Sequence, residues 1–154
     1  QETASDLRTR LSEIGAEALV EALLLLDAGL IEEREQDESQ ATYAPKVDRA
    51  TARIEWAHPS VVVENLIRGM DAVPGAWSEL EGRPIKLFQP AADAEVVPEG
   101  RPGTILEADP EAGLLVATGE GAVHIHEVQP PGKRRMDAGA WILGRGATAG
   151  QRFE

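Results

Sequence analysis

Two hydrophobic rhythms divide the chain. Up to residue 70 the apolar positions recur mostly at helical steps, and from residue 76 they alternate between short turn signals. In the first region Leu7, Leu11, Ile14, Ala18, Ala22 and Leu25 follow one another at three- and four-residue intervals. That spacing predicts an amphipathic helix over 3–28, with Ser5 as N-cap, Asp6 in its first turn and Gly29 as its stop. Leu19, Leu23 and Leu26 widen the apolar stripe toward burial on two sides, so the helix requires a partner layer. Nothing in the following thirty residues supplies one.

Residues 31–39 set Glu32, Glu33, Glu35, Asp37 and Glu38 against a single Arg34, the composition of a solvated linker. Pro45 disfavours helix at Ala44, so residues 42–46 read as extended, and 48–52 as a helical turn. Residues 53–56 then alternate in strand fashion. His58-Pro59-Ser60 opens a second helix over 60–70, with Val61, Val62, Asn65, Leu66 and Gly69 as its expected inner side. Pro74-Gly75 reverses the backbone and is expected to aim Trp77 into a core. Candidate strands follow at 76–80, 84–89, 103–108, 113–118 and 122–128, punctuated by Glu81-Gly82, Pro98 to Pro102, Asp109-Pro110 and Gly119 to Gly121.

Five short strands of this kind suit a small oligonucleotide-binding-like β-barrel. A short helix at 137–143, N-capped by Asp137, precedes a glycine-rich tail expected to be mobile. The fold class is therefore α+β. A terminal helix and linker occupy residues 1–44, a barrel domain 45–146 and a flexible tail 147–154.

Composition narrows the function classes. The 154 residues are 42% hydrophobic, enough for a real core, yet no apolar run reaches the length of a membrane span. The absence of cysteine removes disulfides, thiolate metal sites and Cys nucleophiles, and is compatible with a cytoplasmic protein. A first residue other than Met, without a signal-peptide pattern, leads to the expectation of a processed, excised or incompletely observed chain. The formal charge of −12 opposes broad nucleic-acid binding, but it is unevenly spread. Residues 59–128 carry 12 acidic and 4 basic side chains, whereas 129–154 carry 2 acidic and 5 basic.

Candidate chemistry is sparse. His124 and His126 share a strand face but lack a placed third ligand, so no metal site is expected. Residues 144–149 formally spell a dinucleotide fingerprint, yet a helix rather than a strand precedes them. No nucleophile elbow or His-carboxylate pair occurs in a recognisable context, and no catalytic residue is assigned. The strongest cluster is Lys133-Arg134-Arg135, three cations on a loop after the last strand. Lys86 and Arg83 on the first hairpin extend the patch, whereas Arg68 is expected to pair with nearby acids.

The segment 66–88, with Ile67-Arg68-Gly69, Pro74-Gly75-Ala76-Trp77 and a Lys86 strand, resembles the start of the C-terminal domain of methionyl-tRNA formyltransferases. Collinear likeness continues through Gln36-Asp37-Glu38, Ala41 to Lys46, Arg53 to Trp56, Pro102 to Ile105, Leu114 to Gly119 and Gly132 to Met136, covering nearly the whole chain. The resemblance implies the C-terminal half of an enzyme that formylates initiator methionyl-tRNA with 10-formyltetrahydrofolate as co-substrate. It further implies that the Asn, His and Asp of catalysis, and the sheet on which the first helix packs, lie on an N-terminal catalytic domain outside this sequence. Lys133, Arg134 and Arg135 match the family's basic motif, which implies a tRNA-holding role; this part alone is expected to be inactive and to carry no cofactor. The unpartnered helix is expected to drive self-association.

Related readings are the barrel of a 10-formyltetrahydrofolate hydrolase or dehydrogenase, a sugar-nucleotide formyltransferase, or a non-catalytic scaffold. Asp71-Ala72-Val73-Pro74 leans toward the hydrolase or dehydrogenase, because the tRNA enzymes usually have Pro-Trp-Pro or a close variant there. Ala41 to Lys46 and Gly132 to Met136 lean back toward the tRNA enzyme.

Overall fold

A computed structural model describes residues 2–154. It divides the chain into two compact units, one ending at Lys46 and the other running from Val47 to Glu154.

The first unit is built on α1, Ala4–Asp27. Its N-cap is Thr3 rather than the expected Ser5. The Thr3 hydroxyl accepts the Asp6 N–H at 3.2 Å, and the Asp6 carboxylate accepts the Thr3 N–H at 3.0 Å. This reciprocal capping box satisfies two donors that Ser5, already inside the helix, cannot reach. At the other end Gly29 adopts φ 68°, and the N–H groups of Gly29 and Leu30 donate to the carbonyls of Leu26 and Leu25. That pattern is the Schellman stop expected of a glycine there. No residue of α1 is buried. The following segment is exposed throughout, apart from its extended backbone making one 3-10 turn at Glu38–Gln40.

The second unit is a curled antiparallel sheet. Its strands are β1 (Trp77–Leu80), β2 (Arg83–Asp93), β3 (Ile105–Asp109), β4 (Gly113–Ala117) and β5 (Ala122–Gln129), in the order β1-β2-β5-β4-β3. A two-residue β6, Met136–Asp137, pairs with β5. The five long strands form a half-barrel, with α2 (Ser60–Met70) and α3 (Ala138–Leu143) packed against it. Glu81 and Gly82 both take positive φ, the geometry that lets a two-residue loop follow the twist of β1 and β2. Inside lie Ile85, Leu87, Leu114, Val116, Val123 and Ile125, which alternate with outward residues on the same strands or face α3. α3 is N-capped by Asp137, as its sequence predicts. It lies so close to the β3–β4 turn that a side chain on Gly139 would collide with the Pro110 carbonyl.

Further expectations are corrected. First, α2 buries Ser60, Val63, Glu64 and Ile67, leaving Val61 and Val62 about half exposed. The Ser60 N–H donates to the Glu120 carbonyl at 2.8 Å, and this anchor sets the helix phase so that positions three, four and seven residues on face the sheet. Second, Trp77 is not a core residue. Leu80 and Ser78 point inward, and the period of two places Trp77 and Glu79 outside.

Third, the end of the chain is not a loose tail. The Gly150 and Phe153 N–H groups donate to the carbonyls of Ile105 and Gly103, and the Glu154 N–H donates to that of Glu79. The segment thus spans the open side between β3 and β1, answering edge groups that would otherwise lack partners. Phe153, 1% exposed, stacks on Trp56 at 5.6 Å between ring centroids. The buried Ser78 hydroxyl accepts from the Trp56 indole N–H at 2.9 Å and donates to the Glu154 carbonyl at 2.8 Å. Residues 53–56 join the same region. Ile54 donates to Trp77 O and Trp77 to Ala52 O, a single parallel bridge rather than a full strand.

Candidate nucleic-acid interface

The outer face of the first hairpin carries the most distinctive surface chemistry. Register pairs Trp77 with Lys86 and Glu79 with Pro84 across β1 and β2. The Trp77 indole N–H donates to the Arg49 carbonyl at 2.7 Å, so the ring is fixed in place. The guanidinium carbons of Arg49 and Arg53 lie 4.6 Å and 5.3 Å from its centroid, within the range of cation–π attraction. Arg49 is set by a tight turn in which the Asp48 carboxylate accepts both the N–H and the hydroxyl of Thr51 at 2.8 Å. Those bonds, the backbone one first, hold the Asp48 carboxyl below the usual aspartate range. The result is a groove of about 330 Å³ bounded by Arg49, Trp77, Lys86 and the prolines 74, 84, 130 and 131.

Pro130 and Pro131 also border a second groove, of about 430 Å³, that gathers Arg83, Lys133 and Arg145 around Trp141 and Met136. Gly146 is explained here. A side chain at that position would overlap the Trp141 indole, so the glycine pattern of residues 144–149 serves packing.

The expected cluster Lys133-Arg134-Arg135 divides into two parts. The Lys133 N–H closes a turn on Pro130 O, and the Gln129 amide donates to the Lys133 carbonyl, which leaves the Lys133 and Arg134 side chains in solvent. Among the described residues no ion pair engages Lys133, Arg134 or Lys86. Arg83 pairs with Glu81 at 3.5 Å in an exposed position. Arg135 instead joins the buried Asp71 at 3.1 Å and also Glu127, with its guanidinium 4.1 Å from the Phe88 centroid. It is a strut that ties the basic loop to the end of α2, drawn inward by a carboxylate too buried to stay unpaired. Arg68 lies 3.9 Å from Glu64 and bonds Asn65, a pairing with an acid that the sequence predicts. The rings of His124 and His126 stack at 6.2 Å, and neither belongs to a metal-holding group among the described residues.

Arg49, Arg53 and Arg145 are additions that the sequence pattern did not single out. Arg49 and Arg53 precede Trp77 by 28 and 24 residues, and only the turn at Asp48 and the pairing of residues 52–54 with β1 bring the two to its ring. The one available signal was the parity of Ala76-Trp77-Ser78-Glu79-Leu80, in which an inward Leu80 forces Trp77 outward.

Comparison with known proteins agrees with this architecture. Residues 46–146 match the family described as Formyl transferase, C-terminal domain. The methionyl-tRNA formyltransferase of Thiobacillus denitrificans is 40% identical over 156 residues, and that of Chlorobium phaeovibrioides 44% over the same length. Each alignment covers 99% of this chain and 48% of the relative, so the chain spans about half the length of the curated relatives it matches. Among solved structures, a variant of HypX from Aquifex aeolicus superposes with a TM-score of 0.65 at 26% identity, covering 84% of this chain and 22% of HypX. HypX in complex with tetrahydrofolic acid superposes with a TM-score of 0.64 at 25% identity, with the same coverage. On the family match and on identity that runs the length of the sequence, this chain belongs to the formyl transferase C-terminal domain family.

Proposed function

We propose that this chain is the RNA-holding part of an enzyme that formylates initiator methionyl-tRNA in the cytoplasm. The observation that carries the reading is the segregation of charge within the second unit. That unit has 16 acidic and 11 basic side chains, yet Lys86, Lys133 and Arg134 around the Pro130-Pro131 loop have no carboxylate partner among the described residues. The names of the similar relatives supply the RNA, a tRNA bearing methionine. A small barrel of the oligonucleotide-binding type is in keeping with the role. The groups that handle 10-formyltetrahydrofolate are assigned to the remainder of the enzyme. The grooves of this domain, lined by cations, prolines and tryptophans, suit a polyanion better than a folate. The exposed apolar face of α1 is assigned to contact with that remainder.

Binding of an initiator tRNA transcript to the chain, followed by fluorescence anisotropy across a salt series, tests the proposal. Each phosphate contact contributes about 0.9 to the slope of log affinity against log salt, so replacing Lys133 and Arg134 together by Ala is expected to flatten it by roughly 2. Binding is expected to be weak, roughly 10 to 100 μM at low salt, because the whole chain repels phosphate. A slope indifferent to the double change would place the RNA surface elsewhere. A second reading, a formyl-handling enzyme without an RNA substrate, is favoured by the likeness to HypX bound to tetrahydrofolic acid. It would be preferred if no binding were detected at low salt.

A further inference from the structure

Within that RNA-binding reading, we infer that the groove at Trp77 is a stacking site for one unpaired base of the RNA, flanked by Arg49 and Lys86 as contacts for the adjoining phosphates. Four observations converge on it. The Trp77 ring lies on the outer face of the sheet, although an indole of its size is usually stabilised by deeper burial, and the hydrogen bond to Arg49 O fixes its orientation in advance. A ring already held in place loses little freedom when a base settles on it. Arg49 and Arg53 lie against the same ring, and guanidinium planes are themselves surfaces on which bases stack.

Charge points the same way. In a chain of net charge −12, none of the residues bordering this groove is acidic and two are cations. Its volume of about 330 Å³ stands at the small end of ligand sites, which run from about 300 to 1,000 Å³, and suits one base rather than a folded element.

The chemistry of the walls defines what is recognised. Pro74, Pro84, Pro130 and Pro131 present rigid apolar rings and no backbone N–H, and one N–H of the Gln129 amide is already given to the Lys133 carbonyl. Apart from the Arg49 and Lys86 head groups, assigned here to phosphates, the groove therefore has few donors to offer a base edge. Recognition there is by stacking and is tolerant of base identity, and it selects single-stranded over paired RNA because paired bases are already stacked on one another.

The test uses the whole chain with two probes, a short single-stranded RNA and its fully paired duplex. The single strand is expected to quench tryptophan fluorescence in the unmodified protein but not in Trp77→Phe, which keeps an aromatic face and binds within about threefold. Trp77→Ala is expected to weaken single-strand binding roughly 5- to 100-fold while leaving duplex binding within about twofold. Lys86→Ala is expected to flatten the salt slope for the single strand by about 1. Equal quenching by duplex, or single-strand affinity unmoved by Trp77→Ala, overturns the inference. Should circular dichroism show Trp77→Ala unfolded, the quench in Trp77→Phe and the slope in Lys86→Ala decide it. Salt-dependent binding that ignores Trp77 removes this stacking site and leaves the RNA-holding role intact, whereas no binding of either probe removes both.

Discussion

The two units of the chain use apolar residues in opposite ways. α1 carries Leu11, Ile14, Leu19, Leu23, Leu24 and Leu26, every one of them more than half exposed. In the second unit Leu87, Leu114, Val116, Val123 and Ile125 are wholly buried. The difference teaches that an apolar stripe specifies the need for a partner and not its identity, because the hydrophobic effect is non-directional and rewards any surface that removes water. The strands succeed because their turns, at Glu81-Gly82 and at residues 118–121, bring the complementary faces together within the same stretch of chain.

The sharpest way to break this comparison is to remove matched apolar groups from each unit. Phe153→Ala is expected to cost about 3–5 kcal/mol, since it leaves a cavity beside Trp56 and frees the segment that spans the sheet edges. Leu23→Ala in α1 is expected to stay within about 0.5 kcal/mol. Urea unfolding followed by far-ultraviolet circular dichroism, with tryptophan fluorescence reporting on the second unit, reads both, and comparable losses would mean that α1 has a buried partner.

A smaller effect separates the cations of the basic loop. Arg135→Ala leaves the Asp71 carboxylate buried without its guanidinium and is expected to cost about 1–3 kcal/mol. Arg134→Ala is expected to cost less than about 0.5 kcal/mol while still weakening the proposed RNA binding. Thermal melts of the two variants side by side check this, and equal stability would contradict the strut assigned to Arg135.

The smallest effect concerns acid. Hydrogen bonds from Thr3 hold Asp6 below its ordinary pKa in the first unit, and backbone bonds from Ala112 and Glu111 do the same for Asp109 in the second. A carboxylate with a depressed folded pKa adds stability that is fully present above the unfolded value, 3.8 for aspartate, and is lost as pH falls through the lower folded value. Thr3→Ala should therefore reduce helical ellipticity at neutral pH and reduce it less in strong acid. Asp109→Ala should flatten the acid limb of the second unit's stability curve. Ellipticity and denaturant midpoints measured from neutral to acidic pH would expose the reverse dependence, if it exists.

Much of this protein is written locally. The helical spacing of α1, the Gly29 stop, the Glu81-Gly82 hairpin, the five strands and the Asp137 cap all follow from short-range sterics and hydrogen bonding, which a few neighbouring residues settle. The exposed pair Lys133 and Arg134 was legible as well, since a charged loop between a strand and a helix has little choice but solvent. What needed the tertiary structure depends on groups distant in sequence. The face that α2 buries was decided by the Ser60 bond to Glu120, the fate of Arg135 by Asp71 and Glu127, and the place of the C-terminal segment by the open edges of β1 and β3. The same holds for the Trp77 groove, because Arg49 reaches that ring only after residues 52–54 pair with β1. Burial of a charge and satisfaction of an edge are balances struck between elements, and no local window of the chain contains both sides of them.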